Sequence, residues 1–248
     1  MKTAAVSPHL DDAAISASVG LGTGDVTVMT IFTALPPDGL PASWWDRLTG
    51  ATSSRERQRE RLAEDYVAMR LLSASGVHLD EPEALYRDGD PDLNRTIKLL
   101  TGLFQDSGEV WLPAAIGGHP DHIFARQAGL RAAAAAGHSE VVLYADYPYV
   151  ITYGWPCWVT GGPADPYLDA AFWLTDQLES GGLDPGSLTP TVRRLSPDQR
   201  TAKAQIIAAY RSQAPALGLA PADLAADPAK LDYEVCWRMP VPPRQEAP

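Results

Sequence analysis

Cysteine is nearly absent from this 248-residue chain: Cys157 and Cys236 are its only thiols, too few for the disulfide framework of a small secreted domain. Reduced thiols in a cytoplasm fit them best. Long apolar runs are missing as well, and no stretch approaches the ~20 consecutive apolar residues of a membrane helix. The opening MKTAAVSPHLDD reaches aspartates before any apolar run could act as a secretion signal, so a cytoplasmic location is expected. Basic residues are scarce: 20 Lys and Arg against 31 Asp and Glu leave a formal net charge of −11. That balance argues against nucleic acid or an anionic membrane as the main partner. What is present is an ordinary globular mixture, 45% hydrophobic and 21% charged, long enough for one large domain with a buried core.

The chain alternates strand-like and helix-like segments. Residues 2–7 carry small and β-branched side chains and read as a buried strand; Asp11-Asp12 then opens a small-residue helix reaching Gly20. Residues 25–33 (DVTVMTIFT) form the clearest strand pattern. Residues 34–50 hold three prolines, two glycines and Trp44-Trp45 and read as a long loop. An amphipathic helix is expected over 53–75, another helix over 94–104, strands over 109–113 and 140–144, and a helix over 123–136 between them. This alternation predicts an α/β fold with a mostly parallel sheet covered by helices on both faces. The C-terminal third is less regular, with a helix over 202–212 and a short strand over 233–238. One domain over 1–240 with a flexible tail over 241–248 is expected.

Chemistry concentrates at two strand ends. His9-Leu10-Asp11-Asp12 follows the first strand, and His119-Pro120-Asp121-His122 follows the strand over 109–113; three of the chain's five histidines fall there. Ligands of open α/β sheets bind beyond the carboxyl ends of the strands. Residues three apart at a helix start face the same way, so His9 and Asp12 can converge on one ion while Asp11 points elsewhere. A further ligand then has to come from the second cluster. Two histidines and a carboxylate suit a catalytic zinc with water in the fourth position, and a neighbouring free carboxylate suits a general base. Taken alone, a single HxxD is weak, because such residues often cap helices. Two such clusters at two strand ends are not. His78 and His138 lie outside them and read as surface residues.

SPHLDD near the start together with GGHPDH resembles the PIG-L/LmbE-like family of zinc-dependent N-deacetylases. Weaker matches are Arg61-Leu62-Ala63-Glu64, Ala145-Asp146-Tyr147-Pro148-Tyr149 and Tyr210-Arg211-Ser212-Gln213, so the resemblance runs from about Ala4 to Trp237. It implies a Rossmann-like sheet and removal of an acyl group, most often acetyl, from an amino sugar or related natural product. It implies His9, Asp12 and His122 as zinc ligands and Asp11 as general base. His119 would stabilise the oxyanion or act as an acid, with Asp121 orienting it. Leu10 replaces the family's usual proline and Ala13 its usual glutamate; neither removes a metal ligand. Iron or cobalt would also suit such a donor set.

Tyr147, Tyr149, Tyr153, Trp155 and Trp158 cluster among prolines and glycines after the strand over 140–144. They either fill a core or, with Trp44 and Trp45, wall a pocket that would favour ring-bearing substrates; Trp45, Tyr149 and Trp155 are the candidates. Arg61 is a candidate substrate-binding residue by resemblance, or else a solvated helix residue paired with Glu64 or Asp65. A serine nucleophile elbow is absent, and Cys157 has no histidine nearby in sequence. The expected partner is a small N-acylated molecule, with room for a homo-oligomer. An amidase cleaving a thiol-sugar conjugate at the same site, and a non-catalytic metal-binding protein, are the alternatives.

Overall fold

The run TAAVS forms β1 (Thr3–Ser7), with Ala4, Ala5 and Val6 fully buried, as small and β-branched side chains are in a strand covered on both faces. In this computed structural model, which describes residues 2–22 and 24–241, the chain continues through α1 (Asp12–Leu21), β2 (Val26–Phe32), α2 (Trp44–Leu48), α3 (Ser54–Leu72), β3 (Ala74–Glu81), α4 (Leu93–Phe104), β4 (Glu109–Pro113), α5 (Pro120–Ala136) and β5 (Glu140–Tyr144). The remainder carries α6 (Cys157–Thr160), α7 (Ala170–Ser180), β6 (Thr189–Arg194), α8 (Pro197–Ala209), α9 (Pro221–Ala226) and β7 (Tyr233–Pro240). Among the described residues no helix is long and apolar enough to cross a membrane.

The seven strands lie in the order β3-β2-β1-β4-β5-β7-β6. The first five are parallel; β7 runs antiparallel to β5, and β6 to β7. The chain therefore walks outward from β1 to β3, then returns to the other side of β1 to lay down β4 and β5. Right-handed crossovers made in opposite directions put their helices on opposite faces. Accordingly α1, α3 and α8 pack together, as do α4 and α5. The reversal leaves a crevice beyond the carboxyl ends of β1 and β4, the place where such sheets bind ligands. Helix α5 lies close on β4 because residue 129 is glycine: a Cβ there would come 2.3 Å from Leu112 Cδ2.

Three sequence expectations change. The helix expected over 53–75 ends at Leu72, because Ser73 turns left-handed (φ 57°) and the chain enters β3, which the sequence reading did not include. The loop over 34–50 contains α2, and its Asp46 is wholly buried. The irregular C-terminal third is part of the sheet, since β7 and β6 extend it beyond β5. Glu234 of β7 fastens this extension. It pairs with the buried Lys203 of α8 (2.9 Å) and accepts from Ser18 Oγ and from the Val19 and Gly20 N–H groups. Those N–H groups lie just past Ala17, where non-helical torsions kink α1 (φ −134°). Residues 242–248 of the expected tail lie outside the described residues.

Candidate metal centre and its cavity

His9 stands in the turn after β1 and Asp12 opens α1. The His9 N–H donates to Asp12 Oδ2 at 2.8 Å, and His9 Nδ1 lies 3.1 Å from the same oxygen. His122, in the first turn of α5, brings its Nε2 to 3.3 Å from that oxygen. One donor atom from each residue falls within a 4.8 Å cluster. Each imidazole is backed by a carboxylate. His122 Nδ1 is 2.7 Å from Asp146 Oδ1, and Asp146 Oδ2 accepts from Ile116 N–H. His9 Nε2 is 3.0 Å from Asp121 Oδ2, which also accepts from Ala84 N–H. Such backing fixes each ring and leaves the opposite nitrogen for a metal.

The electrostatics ask for a cation. Burial opposes protonation of His122, yet Asp12 and Asp146 outweigh it and lift the imidazole to about 9. A divalent ion would answer the same negative potential while taking both imidazoles neutral. Two imidazole nitrogens and a carboxylate oxygen, gathered and oriented in this way, fit a divalent metal of the zinc type.

Two further groups face the same space. Asp11 is buried, caps nothing with its side chain, and is raised by burial and then by the adjacent Asp12 charge to about 7. His119 is the N-cap of α5, and its Nδ1 accepts from Asp121 N–H at 3.2 Å. Burial, with the charges of His9 and His122, holds this imidazole down to about 4. A neutral ring that accepts at Nδ1 carries its proton on Nε2. Asp121 meets His119 through its backbone N–H alone, while its carboxylate turns to His9 and to Arg87 Nη1 (2.6 Å). In the first turn of a helix the N–H points at the cap while the side chain leads away from it.

A cavity of about 180 Å³ opens over His9, Asp11, Asp12 and His119. Trp44, Trp45, Leu85, Tyr149 and Leu217 supply apolar wall, and Arg61 and Glu83 supply charge. The Tyr149 ring stands edge-on to His122, with centroids 5.9 Å apart. Gly117 makes room for it: φ is +89° there, and a Cβ would meet Tyr149 Cδ1 at 2.7 Å. Trp45 is held by donation from Nε1 to Gln213 Oε1 at 3.1 Å. Trp155 is not on this wall. It packs against Tyr233 (centroids 5.9 Å), so the aromatic segment divides after Tyr149, and its later rings belong to packing and surface.

Arg61 is 4% exposed and reaches Asp46 Oδ1 (2.6 Å) and Glu83 Oε1 (3.4 Å), which removes the solvated-helix alternative. Glu64 and Asp65 are engaged elsewhere: Glu64 accepts from Ser212 N–H and Oγ, and Asp65 accepts from Tyr210 O–H and pairs with the exposed His78. His138 lies far from the cluster, with Nε2 3.0 Å from Phe104 O. Asp146, Asp46, Glu83 and Arg87 were not singled out as site residues from sequence. Asp146 had a positional signal, a carboxylate just past a strand's carboxyl end. Asp46 had Ser43 three residues before it, the spacing of a helix cap whose hydroxyl accepts from Asp46 N–H.

Comparison with family models and with curated proteins gives no match. Solved structures do match. The A40926 pseudoaglycone deacetylase Dbv21 is 25% identical, with 98% of each chain covered and a TM-score of 0.68. The teicoplanin deacetylase Orf2, in a zinc-inhibited form, is 22% identical over 97% of this chain and 98% of its own, with a TM-score of 0.70. GalB, the 4-carboxy-2-hydroxymuconate hydratase from Pseudomonas putida KT2440, is 16% identical over 100% and 99%, with a TM-score of 0.54. The shared α/β fold is consistent with the PIG-L/LmbE-like resemblance carried by the motifs. One fold thus houses both deacetylases and a hydratase, so activity has to be argued from the site.

Proposed function

We propose that this chain is a metal-dependent hydrolase of the PIG-L/LmbE-like type that removes an N-acyl group, N-acetyl first among them, from an amino sugar or related small molecule. The observation that carries the reading is a two-histidine, one-carboxylate cluster whose His9 and Asp12 line one cavity together with the buried Asp11 carboxylate and the neutral His119 imidazole. The deacetylase activity of Dbv21, the most similar in identity of the three neighbours, supports it. His9, Asp12 and His122 would hold the ion, with zinc favoured by the donors and iron or cobalt acceptable to them. A bound divalent ion supplies Lewis-acid polarisation and a more acidic water.

The chain's own groups divide the remaining work. The Asp11 side chain accepts no hydrogen bond from another described residue, so its carboxylate is free to take the proton of an attacking water. His119 offers Nε2–H to the carbonyl oxygen as it becomes an oxyanion. With Nδ1 occupied by the Asp121 N–H, the ring presents Nε2 to the cavity, which suits oxyanion donation. Trp45 and Tyr149 would border the substrate ring, and Arg61, already paired, would present its guanidinium edge. A metal-loaded preparation given N-acetylated amino sugars, a thiol-sugar conjugate and a glycopeptide pseudoaglycone should release acid and free amine in equal amounts. The hydratase neighbour favours a second reading, addition of water to an unsaturated carboxylic acid. Hydration of such an acid without release of any amine would replace the proposal.

A further inference from the structure

We propose that Arg87, which touches none of the candidate metal ligands, holds the His9 ring in its metal-binding orientation by acting through Asp121. The chain between β3 and α4 runs beside the site and grips Asp121 twice. Ala84 N–H donates to Oδ2 at 3.0 Å, and Arg87 Nη1 lies 2.6 Å from Oδ1. Arg87 is itself fixed. Its side chain is 11% exposed, it donates to Pro82 O at 3.0 Å, and its guanidinium carbon sits 4.9 Å above the centre of the Phe32 ring. The same Phe32 ring lies 6.0 Å from the His9 ring, so one aromatic wall sets both the arginine and the histidine.

Asp121 is wholly buried, and an uncompensated buried carboxylate is costly. Arg87 supplies the compensating charge, which keeps the carboxylate a pure acceptor. A pure acceptor 3.0 Å from His9 Nε2 requires a proton on that nitrogen. That contact fixes the ring with Nδ1 turned toward Asp12. Removing the guanidinium leaves Asp121 free to rotate, and the His9 ring loses the anchor on its outer side. Arg87 is thus a positioning residue for metal binding.

This inference rests on the metal-site part of the function proposed above and needs no substrate for its test. Cobalt(II) binding to the full chain would be measured by visible titration and equilibrium dialysis. In Arg87→Gln the cobalt Kd should rise about tenfold or more, the scale of losing support behind a ligand. Arg87→Lys should recover part of the affinity. In an Asp121→Asn background Arg87→Gln should add no further weakening, because the route is already cut. Wild-type cobalt affinity in Arg87→Gln, or an undiminished further loss in the Asp121→Asn background, overturns the proposal. Should Arg87→Gln fail to fold, Arg87→Lys decides alone: weakened cobalt binding supports the role and wild-type affinity overturns it. A wild type that binds cobalt but cleaves no N-acyl amide would sink the deacylase reading and leave this one standing.

Discussion

Asp11→Asn is the perturbation that best separates chemistry from metal binding. The Asp11 carboxyl is buried and makes no hydrogen bond to another described side chain, so the near-isosteric amide takes its place without losing a contact. Metal content should stay at the wild-type value, since the cluster draws on His9, Asp12 and His122. Turnover should fall by a hundredfold to ten-thousandfold, the range for a lost general base, equivalent to about 2.7–5.4 kcal/mol of barrier at 1.36 kcal/mol per decade. Stability of the metal-free protein should move the other way. Burial and the Asp12 charge raise this carboxyl to about 7 from its ordinary 3.8. The fold therefore holds that proton more tightly than the unfolded chain does, and it loses stability as pH rises from about 4 to about 7. Asparagine has no such charge to accommodate. Metal-free Asp11→Asn should melt above metal-free wild type at pH 8, with the gap closing toward about pH 4. Elemental analysis, single-turnover amide cleavage and calorimetry read the three quantities. Loss of the metal would mean that Asp11 is a ligand, and undiminished turnover would end its role as base.

Other perturbations discriminate neighbouring assignments. His122→Ala should empty the centre by elemental analysis, whereas His138→Ala, whose ring meets Phe104 O far from the cluster, should keep its metal; equal retention would contradict the ligand set. Trp45→Ala should raise KM for a cyclic N-acyl substrate with metal content unchanged, because this ring borders the cavity. Trp155→Ala should instead cost stability, on the order of 3 kcal/mol in urea unfolding, with KM of the folded protein unchanged; reversed outcomes would exchange the two rings. Lys203→Met leaves Glu234 buried without its cation and should cost about 3–5 kcal/mol in urea unfolding, much of it regained in Lys203→Met/Glu234→Gln. Equal stability of the single and double variants would show that the ion pair is not what holds β7 to α8.

The parts of the fold legible in the sequence were those whose burial leaves a one-dimensional trace. β1, β2, β4 and β5 are covered on both faces and read as runs rich in apolar and β-branched residues. β3 (ASGVHLDE) and β6 (TPTVRR) are the two edges of the sheet, mostly exposed, and one carries a proline that only an edge tolerates. Their sequences match loops because their strand character comes from pairing with a neighbour, which no local pattern records. Trp155 failed as a site residue for a related reason. Its composition matches that of Trp45, and only the path of the chain after Tyr149 decides which ring meets the cavity.

The candidate metal cluster was legible by a different route, and its limits show why the supporting residues were not. HxxD and HPDH are each short enough for helix geometry to fix which side chains turn the same way. What joins them is that β1 and β4 are neighbours at the point where the strand order reverses, a consequence of chain topology over more than a hundred residues. Once the two motifs meet, each imidazole needs a carboxylate on its outer side, and these come from wherever the fold leaves one within 3 Å: Asp146 from the end of β5, Asp121 from α5. The next layer is more remote still, with Arg87 arriving from the segment after the unforeseen edge strand β3. Each step outward from the candidate centre replaces a local spacing rule with a tertiary contact. Candidate ligands are therefore easier to find in a sequence than the residues that support them, and Arg87, two contacts out from the centre, leaves no local trace.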